Sequence, residues 1–303
     1  MLFRSTLATA VGARGARTMA SVPVIASIPS PEHGVLNLGP LPLHLYGLII
    51  ATGVLIAAWF AERRWVRRGH DGDAFGAIVI WIVVGGVVGA RLYHVVSEYQ
   101  LFRGRWIDAF KIWQGGLSIW GAVLGGAVVA IVLARRRHLD TLDLVDAIAP
   151  ALVLAQAIGR WGNWANQELF GRPSTLPWAV EIDPAHRPPR YAQYATFQPT
   201  FLYESLWCLA TFAVLLLIER RVRLMKGQLF ALYVMLYTAG RFVFENMRTD
   251  PANTIGPLRL NAWVSLVCFA AAGTWFAWLA RHGTPAVPDA VTAPDPGAVT
   301  GDP

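Results

Sequence analysis

The sequence predicts an all-α integral membrane protein of seven transmembrane helices with a small extracytoplasmic head loop between the fourth and the fifth. Three observations carry this. The 303 residues are 55% hydrophobic and only 15% charged, with a mean hydropathy of +0.43. That is too apolar for a domain wrapped in water, so lipid must replace water over much of the surface. Seven stretches reach the about 17–25 apolar residues that cross the hydrocarbon core as helix. Arginines gather after every second stretch, the asymmetry that marks cytoplasmic connections.

In chain order, residues 1–18 are rich in Ala, Arg and Thr and lack acids, like a transit peptide, while Met19 offers a more natural start. They read as a start-site artefact or a leader. Residues 19–43 form an N-terminal segment on the outer side, and the membrane domain runs from 44 to 282. Its spans are expected at 44–62, 75–96, 113–134, 142–164, 199–219, 228–247 and 261–280. Arg63, Arg64, Arg67 and Arg68 follow the first span, Arg135, Arg136 and Arg137 the third, and Arg220, Arg221, Arg223 and Lys226 the fifth. These read as three cytoplasmic loops, which puts the N-terminus outside and the C-terminus in the cytoplasm. Residues 166–198 are far longer than the other connections and hold Pro173, Pro177, Pro184, Pro188 and Pro189, so they read as the extracytoplasmic head. Residues 283–303, of Pro, Ala, Thr, Gly and Asp, lack apolar periodicity and read as a disordered tail.

The 26 Lys+Arg against 19 Asp+Glu give a formal +7, but no nucleic-acid module accompanies it, so the excess signals topology and affinity for anionic lipid. Cys208 and Cys268 lie singly in apolar segments, with no Cys or His at ligand spacing. They suggest neither a disulfide nor a metal site. Gly85 with Gly89 and Gly121 with Gly125 have the small-x-x-x-small spacing of close helix contacts.

Polar residues at membrane depth are costly unless they are paired or face a cavity, so they are the functional candidates. If the fourth helix continues through Glu168, then Arg160, Asn163, Trp164 and Gln167 share one face, which suits a phosphate. Tyr237, Arg241 and Glu245 follow at i, i+4 and i+8, with Arg248 close to the same stripe. Arg241 and Glu245 can pair, and a purely structural ion pair is the competing reading. Arg91 in the second span and Glu204 at the start of the fifth either neutralise one another or serve the site.

These pieces together resemble the prolipoprotein diacylglyceryl transferase family. The resemblance runs from about His44 to Arg248. It is carried in order by His44-Leu45-Tyr46-Gly47, Gly89-Ala90-Arg91, Gly115-Gly116-Leu117-Ser118, the Gly159 to Gly171 block, Pro199 to Glu204, and Arg241 to Glu245. The Gly159 block is close to the signature Gly-Arg-x-Gly-Asn-Phe-x-Asn-x-Glu followed by Gly, with Trp164 in place of Phe. Many members carry a histidine where this chain has Trp120.

The resemblance implies a multi-pass enzyme of the bacterial inner membrane that moves the diacylglyceryl group of phosphatidylglycerol onto the lipobox cysteine of prolipoprotein signal peptides. Neither cofactor nor metal is implied. It assigns phosphatidylglycerol binding to Arg160, Asn163, Asn166, Gly171, Arg91 and Glu204. Chemistry falls to Arg241, stabilising the leaving group, to Glu245, orienting it, and to Glu168, binding glycerol hydroxyls or accepting a proton. Tyr46, Tyr237 and His44 are the candidate proton carriers. Two other classes share the arginines. A lipid-translocating protein would place polar residues through the full bilayer depth, and a cytidine-diphosphate-alcohol transferase would show an aspartate-rich metal motif.

Overall fold

The computed structural model describes residues 27–31, 34–38, 41–112 and 115–286. The expected leader, residues 19–26, 32–33 and 39–40 of the N-terminal segment and the tail beyond residue 286 lie outside the described residues. Strands β1 (Val35–Leu38) and β2 (Leu41–His44) pair antiparallel and lead into α1 (Leu45–Arg67). Then come α2 (Gly72–Ser97), the single turn α3 (Tyr99–Phe102), α4 (Ile119–Arg136) and α5 (Thr141–Ala165). After β3 (Val180–Glu181) and β4 (Thr196–Phe197) follow α6 (Thr200–Arg221), α7 (Gln228–Met247), the pair β5 (Thr254–Ile255) and β6 (Leu258–Arg259), and α8 (Leu260–His282).

The protein is mostly helical, and six of its described helices, α1, α2, α4, α5, α6 and α8, are long and apolar enough to cross a membrane. The short β pairs are departures from the expected all-α pattern. α7 has the expected bounds, but Arg241 and Glu245 dilute its apolar character.

Helix ends follow local chemistry. Asp71 caps α2 by accepting from the Asp73 amide at 2.9 Å, and Asp140 caps α5 by accepting from the Leu142 amide at 3.0 Å. The third span starts six residues later than expected, because Gly115 and Gly116 sit at φ 86° and 73° and cannot continue a helix. The basic residues assigned to loops lie largely in final helical turns. Arg64 and Arg67 end α1, Arg135 and Arg136 end α4, and Arg220 and Arg221 end α6, where cations complement the helix dipole.

α5 is central, packed against α1, α6 and α7, while α7 also packs on α8. α2 and α4 cross closely, since a Cβ on Gly89 would lie 2.9 Å from the Gly125 Cα. That pair meets the rest of the bundle at one end, where Phe75, Ala134 and Leu139 pack with Trp65, Ala61 and Leu144. The same end holds a buried ionic network. Arg64 reaches Glu219 at 2.8 Å, and Arg68 bridges Glu219 and Asp143, both at 2.5 Å. His70 joins Asp143 at 2.6 Å, and Asp146 accepts from the Gly227 and Phe230 amides that open α7. Arg64 and Arg68 are therefore parts of the packed interior rather than solvated loop charges, which is why α1 runs past the expected residue 62.

Candidate functional site

The other end of the helices gathers the polar side chains. Arg160 lies near the end of α5, Glu204 in the first turns of α6, and Arg241 and Glu245 in the last turns of α7. Arg160 pairs with Glu204 at 2.9 Å and donates to the Tyr237 hydroxyl at 3.3 Å. Arg241 lies 3.7 Å from the same Glu204 oxygen and 2.7 Å from Glu245. Glu204 thus takes two guanidinium groups from two helices, and the first of the two readings of Arg91 and Glu204, mutual neutralisation, does not occur. One turn deeper, Gln156 donates to the Tyr233 hydroxyl at 2.9 Å, extending the polar column between α5 and α7.

Glu245 is fully buried. Besides Arg241 it meets Arg248 at 3.5 Å and Arg259 at 3.0 Å, and Asp250 pairs with both of those arginines at 2.8 Å. The Arg259 Nε that faces Glu245 lacks the angle of a hydrogen bond, so that contact is an ion pair without one. The cluster sets four guanidinium groups against three carboxylates and carries one surplus positive charge. Arg259 and Asp250 escaped sequence reasoning. They lie beyond α7 with no helical periodicity to link them to Glu245.

α5 ends at Ala165, and Gln167 takes φ 52°, so the expected Arg160-to-Gln167 face stops short. Gln167 is buried and turns away, donating to the Pro31 carbonyl at 3.1 Å and to Asp183 at 2.6 Å. Asn163 donates to Glu168 at 2.9 Å, which holds that carboxylate back over the helix end. Tyr46 lies against Gly162, where a Cβ would stand 2.7 Å from its ring, and within electrostatic reach of Glu168 and Arg160. Asn166 is exposed and lines a cavity of about 260 Å³ with Glu168 and His186.

Gly171 serves close packing. A Cβ there would sit 2.9 Å from the Gln198 Cβ, and its backbone pairs with Arg248. Through it the 166–199 segment, whose Phe170, Val180, Ile182 and Phe197 pack with Phe201 of α6, is tied to the end of α7.

Two candidates stand apart. His44 is exposed at the start of α1 and caps no backbone group. Arg91 donates to the carbonyls of Ala109 and Gly115 at 2.7 Å, Asp108 at 2.5 Å and Gly116 at 3.2 Å. Its donors are committed to folding the connection before α4. Trp120, in the first turn of α4, is exposed.

The fold and the site together define a multi-pass helical membrane protein in which Arg160, Arg241, Arg248 and Arg259, all partly buried, converge at one end of the long helices. The prolipoprotein diacylglyceryl transferase family model matches residues 33–278. A phosphatidylglycerol–prolipoprotein diacylglyceryl transferase of Frankia alni is 53% identical over 252 residues, 82% of this chain and 66% of that protein. A Streptomyces coelicolor protein of that name is 48% identical over 91% of this chain and 79% of its own length. One from Cutibacterium acnes is 47% identical over 85% and 88%. The chain belongs to the prolipoprotein diacylglyceryl transferase family.

Proposed function

We propose that this protein transfers the diacylglyceryl group of phosphatidylglycerol to the lipobox cysteine of prolipoproteins in the bacterial inner membrane. In the proposed arrangement, seven helices including α7 span the bilayer, and the 166–198 head covers the site on the outer face. The observation that carries the reading is the surplus cation, with Arg160 and Arg241 both leaning on Glu204. A phosphate monoanion completes that charge balance, and paired guanidinium groups suit its oxygens.

The cysteine sulfur attacks the glycerol carbon that bears the phosphate ester. The C–S bond forms as the C–O bond breaks, the electron pair leaves on glycerol phosphate, and the thiol proton passes to a base or to that leaving group. The requirements are alignment and stabilised leaving-group charge, which fixed cations supply with little reorganisation. Arg160 and Asn163 hold the head group. Arg241 meets the charge that develops on the leaving oxygen, and Glu245 fixes its direction. Glu168, Asn166 and Tyr46 flank the glycerol hydroxyls, and Tyr46, Tyr237 and Glu168 are the proton carriers within reach. Gly171 and Glu204 place the others, Arg91 folds the connection before α4, and His44 lies at the rim. With Trp120 exposed at the position where many family members carry histidine, the cationic site itself favours thiolate over thiol.

Complementation of a strain depleted of this transferase, with lipoprotein thioether lipid read by mass spectrometry, tests the reading. Arg160→Ala and Arg241→Ala are expected to abolish modification, and full activity in either rejects the site. Tyr46→Phe, Tyr237→Phe and His44→Ala singly are expected to leave measurable transfer. Complete loss in all three, with the fold intact, shows that cations alone do not activate the thiol.

A further inference from the structure

We propose that Arg259 is a positioning residue for lipid binding: by occupying one oxygen of Glu245 it keeps Arg241 only partly neutralised and free to hold a phosphate. This rests on the transferase reading above. Arg259 Nε lies 3.0 Å from Glu245 Oε1, while Arg241 holds Oε2 at 2.7 Å. The rest of the Arg259 fork is fixed largely by backbone. One terminal nitrogen donates to the carbonyls of Glu245 and Arg248, both at 3.2 Å, and the other to the Asp250 carbonyl at 3.1 Å and its carboxylate at 2.8 Å. Arg259 is thereby anchored at the foot of α8 and cannot follow Glu245 if that side chain moves. Asn261 approaches the same Oε1 at 3.4 Å, so that oxygen is held on the side away from Arg241.

Without the Arg259 charge, Glu245 is drawn to its nearest remaining cation. Both oxygens then turn to Arg241, as a two-pronged pair between neighbours four residues apart on one helix. Arg241's second contact, Glu204, lies at 3.7 Å and is already closer to Arg160. A doubly engaged Arg241 has less charge to offer a lipid phosphate, so the loss appears in lipid affinity before it appears in turnover.

The test uses full-length enzyme in mixed micelles, with a synthetic lipobox peptide as acceptor and the surface fraction of phosphatidylglycerol varied. Arg259→Gln retains a donor to the capped carbonyls and removes the charge. Its KM for phosphatidylglycerol is expected to rise about tenfold with kcat within about threefold. Arg259→Lys keeps the charge and loses the fork, and its KM is expected to stay within about threefold of the original. An unchanged KM in Arg259→Gln overturns the proposal. So does an equal fall of kcat and melting temperature in both variants, or a failure of both to fold, each of which marks a purely structural role. Absence of transfer by the unaltered enzyme rejects the transferase reading instead.

Discussion

Glu245 has no exposed surface, and three guanidinium groups reach it from α7, the residue that follows it and the β5–β6 pair. Glu245→Ala strands those charges and is expected to cost about 3–5 kcal/mol, read by unfolding in detergent. A loss under about 1 kcal/mol would show that lipid or water already serves them. Asp250 gives a pH dependence of its own. Burial pushes its carboxyl up, but the bonds and charges of Arg248 and Arg259 outweigh burial and hold it below the ordinary 3.8. A depressed carboxyl contributes its full stabilisation above the ordinary value and loses it as pH falls through the lower folded value. Protection of the β5 and β6 amides, taken relative to the intrinsic exchange rate at each pH, is therefore expected to fall as pH drops from 3.8 through the lower folded value, and loss of protection already near neutral pH would assign it to another group. At this scale the sequence is partly legible. Arg241 and Glu245 announce themselves by i, i+4 spacing in an apolar helix. Arg259 pairs across a turn that no spacing rule anticipates. Arg91, polar and mid-span, has the look of a ligand in sequence, yet its four carbonyl partners commit it to a loop.

At the scale of elements, the crossing of α2 and α4 depends on side chains that are not there. Gly89→Val drives a branched side chain into the Gly121 and Gly125 backbone and is expected to lower folded yield severely. Gly76, on the same helix, has nothing within 4 Å of where a Cβ would stand and should accept Ala without loss. Equal yields from the two, by fluorescence-detected chromatography, would remove the close crossing. The helices themselves are legible because apolar length is local information. Their ends are less so. The fate of Arg64 is decided by Glu219, which lies 155 residues away, and the late start of α4 is decided by two glycine backbones whose φ no hydropathy window contains.

Across the whole molecule, two polar layers lie at opposite ends of the helices, one where Arg64 and Arg68 meet Glu219 and Asp143, the other with its excess cation around Arg241. The proposed orientation is checked by single cysteines. Arg187→Cys in the head is expected to react with an impermeant maleimide in intact cells, and Arg137→Cys only after permeabilisation. The reverse result inverts the topology. The excess cation around Arg241 has a thermodynamic consequence. An anion that enters the Arg160–Arg241 end binds only the folded chain, so by linkage it raises the unfolding free energy by about 2.7 kcal/mol at about a hundred times its Kd. Melting temperature should therefore report bilayer composition, higher in nanodiscs of phosphatidylglycerol than of phosphatidylcholine, and Arg160→Ala should flatten that difference. The substrate then doubles as a component of the enzyme's own stability, and a membrane depleted of anionic lipid would yield a protein that is both idle and short-lived.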